Sequence, residues 1–378
     1  MEFKLNETQQ TAVDTSRDFA ERFIKGRIEE IEIVGKFPED LYKQMVDTGL
    51  LAFAFEEQYG GLEMGYDCFA MAIEQIAKVS ASAATALLIS ILPLEAINLF
   101  GTEEQKQKHI SEGLSGKTRG SFAFTEPGTG SDPKQLLTTG KREGDHFIVN
   151  GVKRFISNAA YNGPMVVFVK DSNTDACTAL IMDKFCEGYS ISTSWDKIGL
   201  KGSAVYDIFL DNVKIPVSNV LGKEGDGYNI LLKTTAYGKL GFSSCFLGVM
   251  AASYDNAVKY VKEKEHRGAS IGKFQAVQLK IAQIAAKYES CRYLVYKCGE
   301  DANDHSNTDF AAESAMVKGH VSDTGVEAAV LAMNVMGAYG VMDEYNQERY
   351  LRDALIGPHI EGASDIQRLI SANKILRG

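Results

Sequence analysis

The order of patterns along the chain predicts an α+β protein, with a small antiparallel β domain set between two helical regions. Apolar residues recur at helical spacing from Glu7 to about Gly116, and short β-branched and aromatic runs bounded by turn residues follow from about Ser121 to Val220. Long helical periodicity returns after Gly225. No helical stretch follows each strand, which disfavours a parallel doubly wound sheet. The boundaries fall at 1–118, 119–225 and 226–378.

In the first region Val13, Phe19, Ala20, Phe23 and Ile24 form one apolar stripe. Leu41, Met45 and Val46 form another, after a Pro38 suited to the first helical position. The segments Asp47-Thr48-Gly49 and Tyr59-Gly60-Gly61 are loops or stops. The most apolar run, Ser82 to Phe100, is interrupted by Ser90, Pro93 and Glu95, so it predicts a buried helix and not a membrane span. Thr102-x-x-Gln105 is a capping box that opens the next helix. Strands are expected at His146–Val149, Arg154–Ser157, Met165–Val169, Ala179–Met182 and Tyr206–Leu210, and Asn150-Gly151 predicts a two-residue hairpin between the first two. Helices near 226–263, 273–298 and 309–336 are each long enough to cross a bundle, and Gly337-Ala338-Tyr339-Gly340 breaks the third. A last helix from about Ala363 completes a four-helix bundle.

With 378 residues, 45% of them hydrophobic, the chain can bury a large core. Its net charge of -10 and scattered basic residues argue against nucleic acid or an anionic membrane surface as partner. Six cysteines (Cys68, Cys177, Cys186, Cys245, Cys291 and Cys298) show neither zinc-ligand spacing nor a disulfide framework, and read as reduced, mostly buried thiols. The N-terminus lacks the pattern of a secretory signal or a transit peptide, so the cytoplasm is the expected location. The histidines are dispersed and mostly in polar contexts. His359, two residues before Glu361, reads as a structural contact, with tuning of the neighbouring acid or contact with substrate as the alternatives, and Trp195 reads as packing.

Two motifs carry chemistry. Glu361-Gly362 stands where the last helix begins and makes Glu361 a candidate general base; the alternative is an acid that complements the helix dipole. The stretch Ser121-Phe122-Ala123-Phe124-Thr125-Glu126-Pro127-Gly128-Thr129-Gly130-Ser131-Asp132 runs from a strand into a Gly/Pro-rich loop. Its glycines let backbone approach an anion or a flat ring, and Thr125 and Ser131 add hydroxyls. An ordinary surface turn is the alternative.

These motifs occur in a fixed order with Asn150-Gly151-x-Lys153-x-Phe155-Ile156-Ser157-Asn158, Gly199-x-x-Gly202-Ser203, Arg349-Tyr350-x-Arg352-Asp353 and Glu361-Gly362-x-x-x-Ile366-Gln367. In that order, over essentially the whole chain, the sequence resembles the acyl-CoA dehydrogenases. The resemblance implies FAD between the β domain and the C-terminal bundle and α,β-desaturation of a short or medium acyl thioester. Glu361 would remove the α-proton, and the β-hydride would pass to flavin N5. It implies Phe122, Phe124, Thr125, Gly130 and Ser131 along the flavin, with Phe155, Ile156 and Ser157 packed on it where relatives have Trp and Thr around the same positions. Ala363 stands where a Thr is usual, and Asp365 follows it. Lys264 or Arg267, with Gln275, would reach the FAD of a neighbouring subunit, and Asn334, Gly337 and Ala338 would lie along its adenosine. Ser131, Gly362 and Lys239 would touch substrate, Lys239 as a weaker cation where relatives grip the far end of the thioester. The other position at which the family carries its base is Gly238 here. The resemblance further implies an electron-transfer flavoprotein as partner and a homotetramer or homodimer. The softened grip at Lys239 leaves open an acyl-carrier-protein substrate, the same fold also serves enoyl-thioester reductases, and a catalytically inactive scaffold is the reading of another class.

Overall fold

The computed structural model describes residues 3–377. Its first region holds α1 (Glu7–Phe19), α2 (Ile28–Val34), α3 (Glu39–Asp47), α4 (Tyr66–Val79), α5 (Ala81–Phe100) and α6 (Glu103–Leu114). The Thr102/Gln105 capping box is formed, and Asn6 with Gln9 makes a second one at α1. Pro38 sits one place earlier than expected, extended at the N-cap of α3. Helix α5 is apolar on every side because α4, α6, α7 and the sheet all pack on it. It is long and apolar enough to cross a membrane, but 78% of that stretch is buried in the protein.

The middle region folds as β1 (Ser121–Ala123), β2 (Thr139–Glu143), β3 (His146–Ser157), β4 (Pro164–Asp171), β5 (Cys177–Asp183), β6 (Tyr189–Ile191) and β7 (Val205–Pro216). The path is β1-β4-β2-β3-β7-β6, with β5 also paired to β4. The sheet is not wholly antiparallel. Strand β1 pairs parallel to Met165–Val167 of β4, and β2 pairs parallel to its Lys170 and Asp171. Strand sense is invisible to an alternation pattern, and the long connections from β1 and β2 to β4 allow the parallel sense.

Asn150-Gly151 does not turn the chain. Strand β3 runs straight through it with a register shift against β7, and Asn150 is stitched to Asn212 across the ladder. A Cβ on Gly151 would lie 2.5 Å from Thr138 Oγ1, so the glycine serves a close approach. The hairpin is at Gly144-Asp145 instead, where Gly144 has φ +64° and Glu143 pairs with His146. Alternation on β4 divides two cores: Met165, Val167 and Val169 face the interior of the β domain, and Val166 and Phe168 face the helices.

The last region comprises α7 (Gly227–Glu263), a ribbon of β8 (Glu265–His266) and β9 (Ala269–Ser270), α8 (Gln275–Ala302), α9 (Phe310–Met336), α10 (Gln347–Ala354) and α11 (Ser364–Arg377). Helices α7, α8, α9 and α11 form the four-helix bundle, and α4 and α5 pack on α7 so that the two helical regions share one core. Two of the motifs that carry the resemblance clasp the β domain to this core. Asp353 accepts the Leu200 N–H at 2.7 Å, Arg352 donates to the Ile198 carbonyl at 3.1 Å, and Gly202 N–H donates to Ser82 Oγ at 3.1 Å. A Cβ on Gly199 would overlap the Arg352 backbone.

Candidate active site

Helices α5 and α7 cross in opposite senses at two glycines. A Cβ on Gly241 would overlap Leu88, and one on Gly238 would come within 3.3 Å of Leu92 Cδ1. Glu361 reaches this crossing from the loop before α11, and its Oε1 occupies the space that a Gly238 side chain would need. Glu361 (φ +51°) and Gly362 (φ +81°) are consecutive left-handed residues, a conformation that a glutamate holds only when its surroundings impose it. They are imposed here by Gln367 Nε2, which donates to the Glu361 carbonyl at 3.1 Å, and by Lys318 Nζ, which donates to the carbonyls of Gly362 at 2.7 Å and Gly357 at 2.9 Å. A Cβ on Gly362 would overlap Gln367 Nε2. Since α11 starts at Ser364, Glu361 lies outside the helix and does not serve as its first-turn acid.

The Glu361 residue is partly exposed, but Oε1 is enclosed and has no hydrogen-bond partner. Burial pushes its pKa up, and the ammonium groups of Lys239 and Lys318 hold it back. Both lysines are themselves lowered by burial to about 8, with Glu361 opposing. Lys239, expected at the far end of the thioester, is 4% exposed and turned into the bundle beside Glu361. Its place on the buried face of α7, next to Gly238, keeps its ammonium from a surface phosphate.

On the β side, Glu126 turns inward and ties down the glycine loop. It accepts the N–H groups of Leu137 (2.7 Å) and Thr138 (2.9 Å) and pairs with the fully buried Lys153 at 2.7 Å. Thr125 is left half-buried, and Gly130 and Ser131 are exposed above it. Phe122 and Phe124 pack edge-on to Phe168 at 5.0 and 5.9 Å. A second bulge in β3 gives Phe155 a φ of +59° and leaves it 52% exposed, with the Trp195 ring 5.5 Å away. The same bulge sends the Ile156 side chain into the β core, so its backbone, not its side chain, is what a cofactor could touch. Ser157 is half-buried, and the next residue, Asn158, donates to Ser90 Oγ at 3.3 Å. Ser90 and Leu92 share one turn of α5, which thus joins the end of β3 to the Glu361 pocket.

The remaining expected residues are not brought to Glu361. Lys264 lies with Nζ 4.6 Å from the Tyr339 ring, and Arg267, Gln275, Asn334, Gly337 and Ala338 are exposed around it. This group stands at the far end of the bundle, ~39 Å from Gly238 along α7 at 1.5 Å per residue. Ala363 is partly buried, Asp365 is exposed and bonded to Arg368 at 2.7 Å, and His359 is exposed. The sequence reading missed Lys318, the seating role of Gly238 and the Glu126–Lys153 pair. Lys318 had one signal: it falls in the buried stripe with Ala315, Val321 and Ser322, where a lysine needs a partner.

Comparison with known proteins agrees with this layout over the whole chain. The acyl-CoA dehydrogenase N-terminal, middle and C-terminal domain families match residues 6–117, 121–213 and 225–376. The chain belongs to the acyl-CoA dehydrogenases. It is 34% identical to a probable acyl-CoA dehydrogenase, YngJ, of Bacillus subtilis, with both chains fully covered. It is 33% identical to the CarC subunit of the caffeyl-CoA reductase-Etf complex of Acetobacterium woodii, over 96% of each chain. The butyryl-CoA dehydrogenase structure from Megasphaera elsdenii superposes with a TM-score of 0.95 at 29% identity, covering both chains completely. As a family member the chain is a flavin-dependent oxidoreductase that acts on CH–CH bonds with FAD as cofactor. Its residues fit that cofactor: the Thr125–Ser131 loop is open, the Phe155 ring is bare beside Ser157, and Glu361 Oε1 is enclosed but unbonded.

Proposed function

We propose that the chain desaturates a short acyl-CoA between Cα and Cβ, with Glu361 as the base that takes the α-proton. The enclosed, unbonded Oε1 carries this reading, because a carboxylate oxygen with no partner in a dry slot keeps its lone pair for an incoming proton. Burial raises its basicity, and the two lysines oppose that rise. Bound FAD supplies the acceptor for the β-hydride. Thr125, Gly130, Ser131, Phe155, the Ile156 backbone and Ser157 would hold its flavin end. A short acyl group is supported by the α5–α7 crossing, where Leu88 fills the space over Gly241 and Leu92 closes on Gly238 beside the Glu361 carboxylate. Electrons would leave to an electron-transfer flavoprotein, as the name of the Acetobacterium relative suggests.

The test is an anaerobic titration of the FAD-loaded enzyme with acyl-CoAs of increasing length, alongside Glu361→Gln. The wild-type flavin should bleach best with the shortest chains, and the variant should keep its FAD and fail to bleach with any of them. Bleaching by the variant at the wild-type rate would move the base elsewhere.

A further inference from the structure

We propose that Lys239 is a positioning residue for the base: its buried ammonium, one residue from the glycine that seats the Glu361 carboxylate, keeps that carboxylate ionised without covering it. The inference rests on the reading of Glu361 as the base.

Three features of the pocket support it. First, Lys239 is poorly bonded for a buried cation. Its Nζ donates to Thr235 Oγ1 at 3.2 Å, and among the described residues no other acceptor is within reach, although an ammonium carries three donors. Burying such a group is costly unless a charge offsets it, and the charge that faces it is Glu361. Second, the two do not touch. Among the described ion pairs none joins Glu361 to a lysine, so the cation acts through its field and leaves Oε1 open. A direct salt bridge would occupy the lone pair that the α-proton needs. Third, of the other groups around the carboxylate only Lys318 shares this role. Lys318 on α9 adds a second positive field while its ammonium is bonded to two loop carbonyls, and Asp323 on the same helix is engaged by Ser364 and Arg368. Helix α5 presents Leu92, and its buried Glu95 is bonded to Tyr66. Helix α11 contributes the neutral Gln367. A carboxyl group this enclosed binds its proton more tightly as positive charge nearby is removed, and while protonated it can accept none from substrate.

The test uses the FAD-loaded holoenzyme with Lys239→Met, Lys239→Gln and Lys239→Arg. Two quantities are followed against pH: the single-turnover rate of flavin bleaching by butyryl-CoA, and the infrared carboxyl band of the resting enzyme that Glu361→Gln removes. In the neutral variants the acidic limb and the infrared midpoint should both move up by about one pH unit or more, which slows bleaching about tenfold below the limb. Lys239→Arg should return both to the wild-type position. If Lys239→Met does not fold, Lys239→Gln, which keeps a donor for Thr235, reads the same shift. An unmoved limb and midpoint in a folded, FAD-loaded neutral variant overturns the proposal, as does a shift that arginine fails to reverse. Bleaching that survives in Glu361→Gln is a different failure: it removes the base assignment itself.

Discussion

At the scale of single residues the pocket depends on a side chain that is absent. Glu361 Oε1 fills the volume next to Gly238 Cα, and a methyl group there would also come within 3.0 Å of the Glu361 carboxyl carbon. Gly238→Ala should therefore leave the fold intact, since alanine is the better helix former by about 1 kcal/mol, and displace the carboxylate instead. A shift of about 1 Å in a reacting group costs on the order of 100-fold in rate. Stopped-flow bleaching should show that loss while thermal unfolding stays level or improves; a variant as fast as wild type would mean the carboxylate does not rest on Gly238 during turnover. Glu361 was legible in the sequence as a candidate base because Glu361-Gly362 stands in a recognisable run. Its surroundings were less so. Nothing in a sequence marks one helical glycine as a seat for a residue 123 positions away (361 less 238). Lys239 was expected at the far end of the thioester because the pattern did not say which face of α7 it occupies.

Among the elements, the apolar helix α5 buries one charged side chain, Glu95. Its Glu95 accepts from Tyr66 Oη at 2.7 Å through Oε2, and Oε1 has no partner. Burial pushes the acid up to about 7 against the help of Tyr66 and Asn98. A carboxyl whose folded pKa is raised above its unfolded value stabilises the fold when protonated, and that contribution is lost as pH rises through the folded pKa. Between roughly pH 4.5 and pH 7 the shift amounts to about 3 kcal/mol. Glu95→Gln keeps a polar partner for Tyr66 and removes the titration. Relative to wild type it should gain stability at pH 8 and gain little at pH 5, measured as the shift in urea midpoint at the two values. An equal shift at both would show that Glu95 does not titrate in this range. The helix itself was legible in its apolar run, as was α6 in its capping box, because both signals are local. The Asn150-Gly151 hairpin was misread for the converse reason: the ladder to β7 outweighs a local turn preference. The parallel pairing of β1 and β2 with β4 left no local trace at all.

Across the whole molecule the helix, β, helix order was readable from periodicity, but the single core shared by the two helical regions was not, since a buried stripe does not name its partner. That shared core sets a distance. The long α7 carries Gly238 near one end and leads to Lys264 at the other, ~39 Å apart, with Arg267, Gln275 and Asn334 gathered at the far end. If both ends hold FAD, they cannot hold the same molecule within one chain, and the far end must serve a second subunit. The particle should then be at least a dimer of the 41.3 kDa chain. Charge reversal at the far end, Lys264→Glu with Arg267→Glu, should lower FAD content while leaving the Glu361 pocket intact. Co-assembly of that variant with Glu361→Gln supplies each mixed dimer with one sound pocket and, from the other chain, one sound far end. Bleaching by butyryl-CoA should reappear in the mixture when neither variant shows it alone, whereas a site complete within one chain would give no recovery.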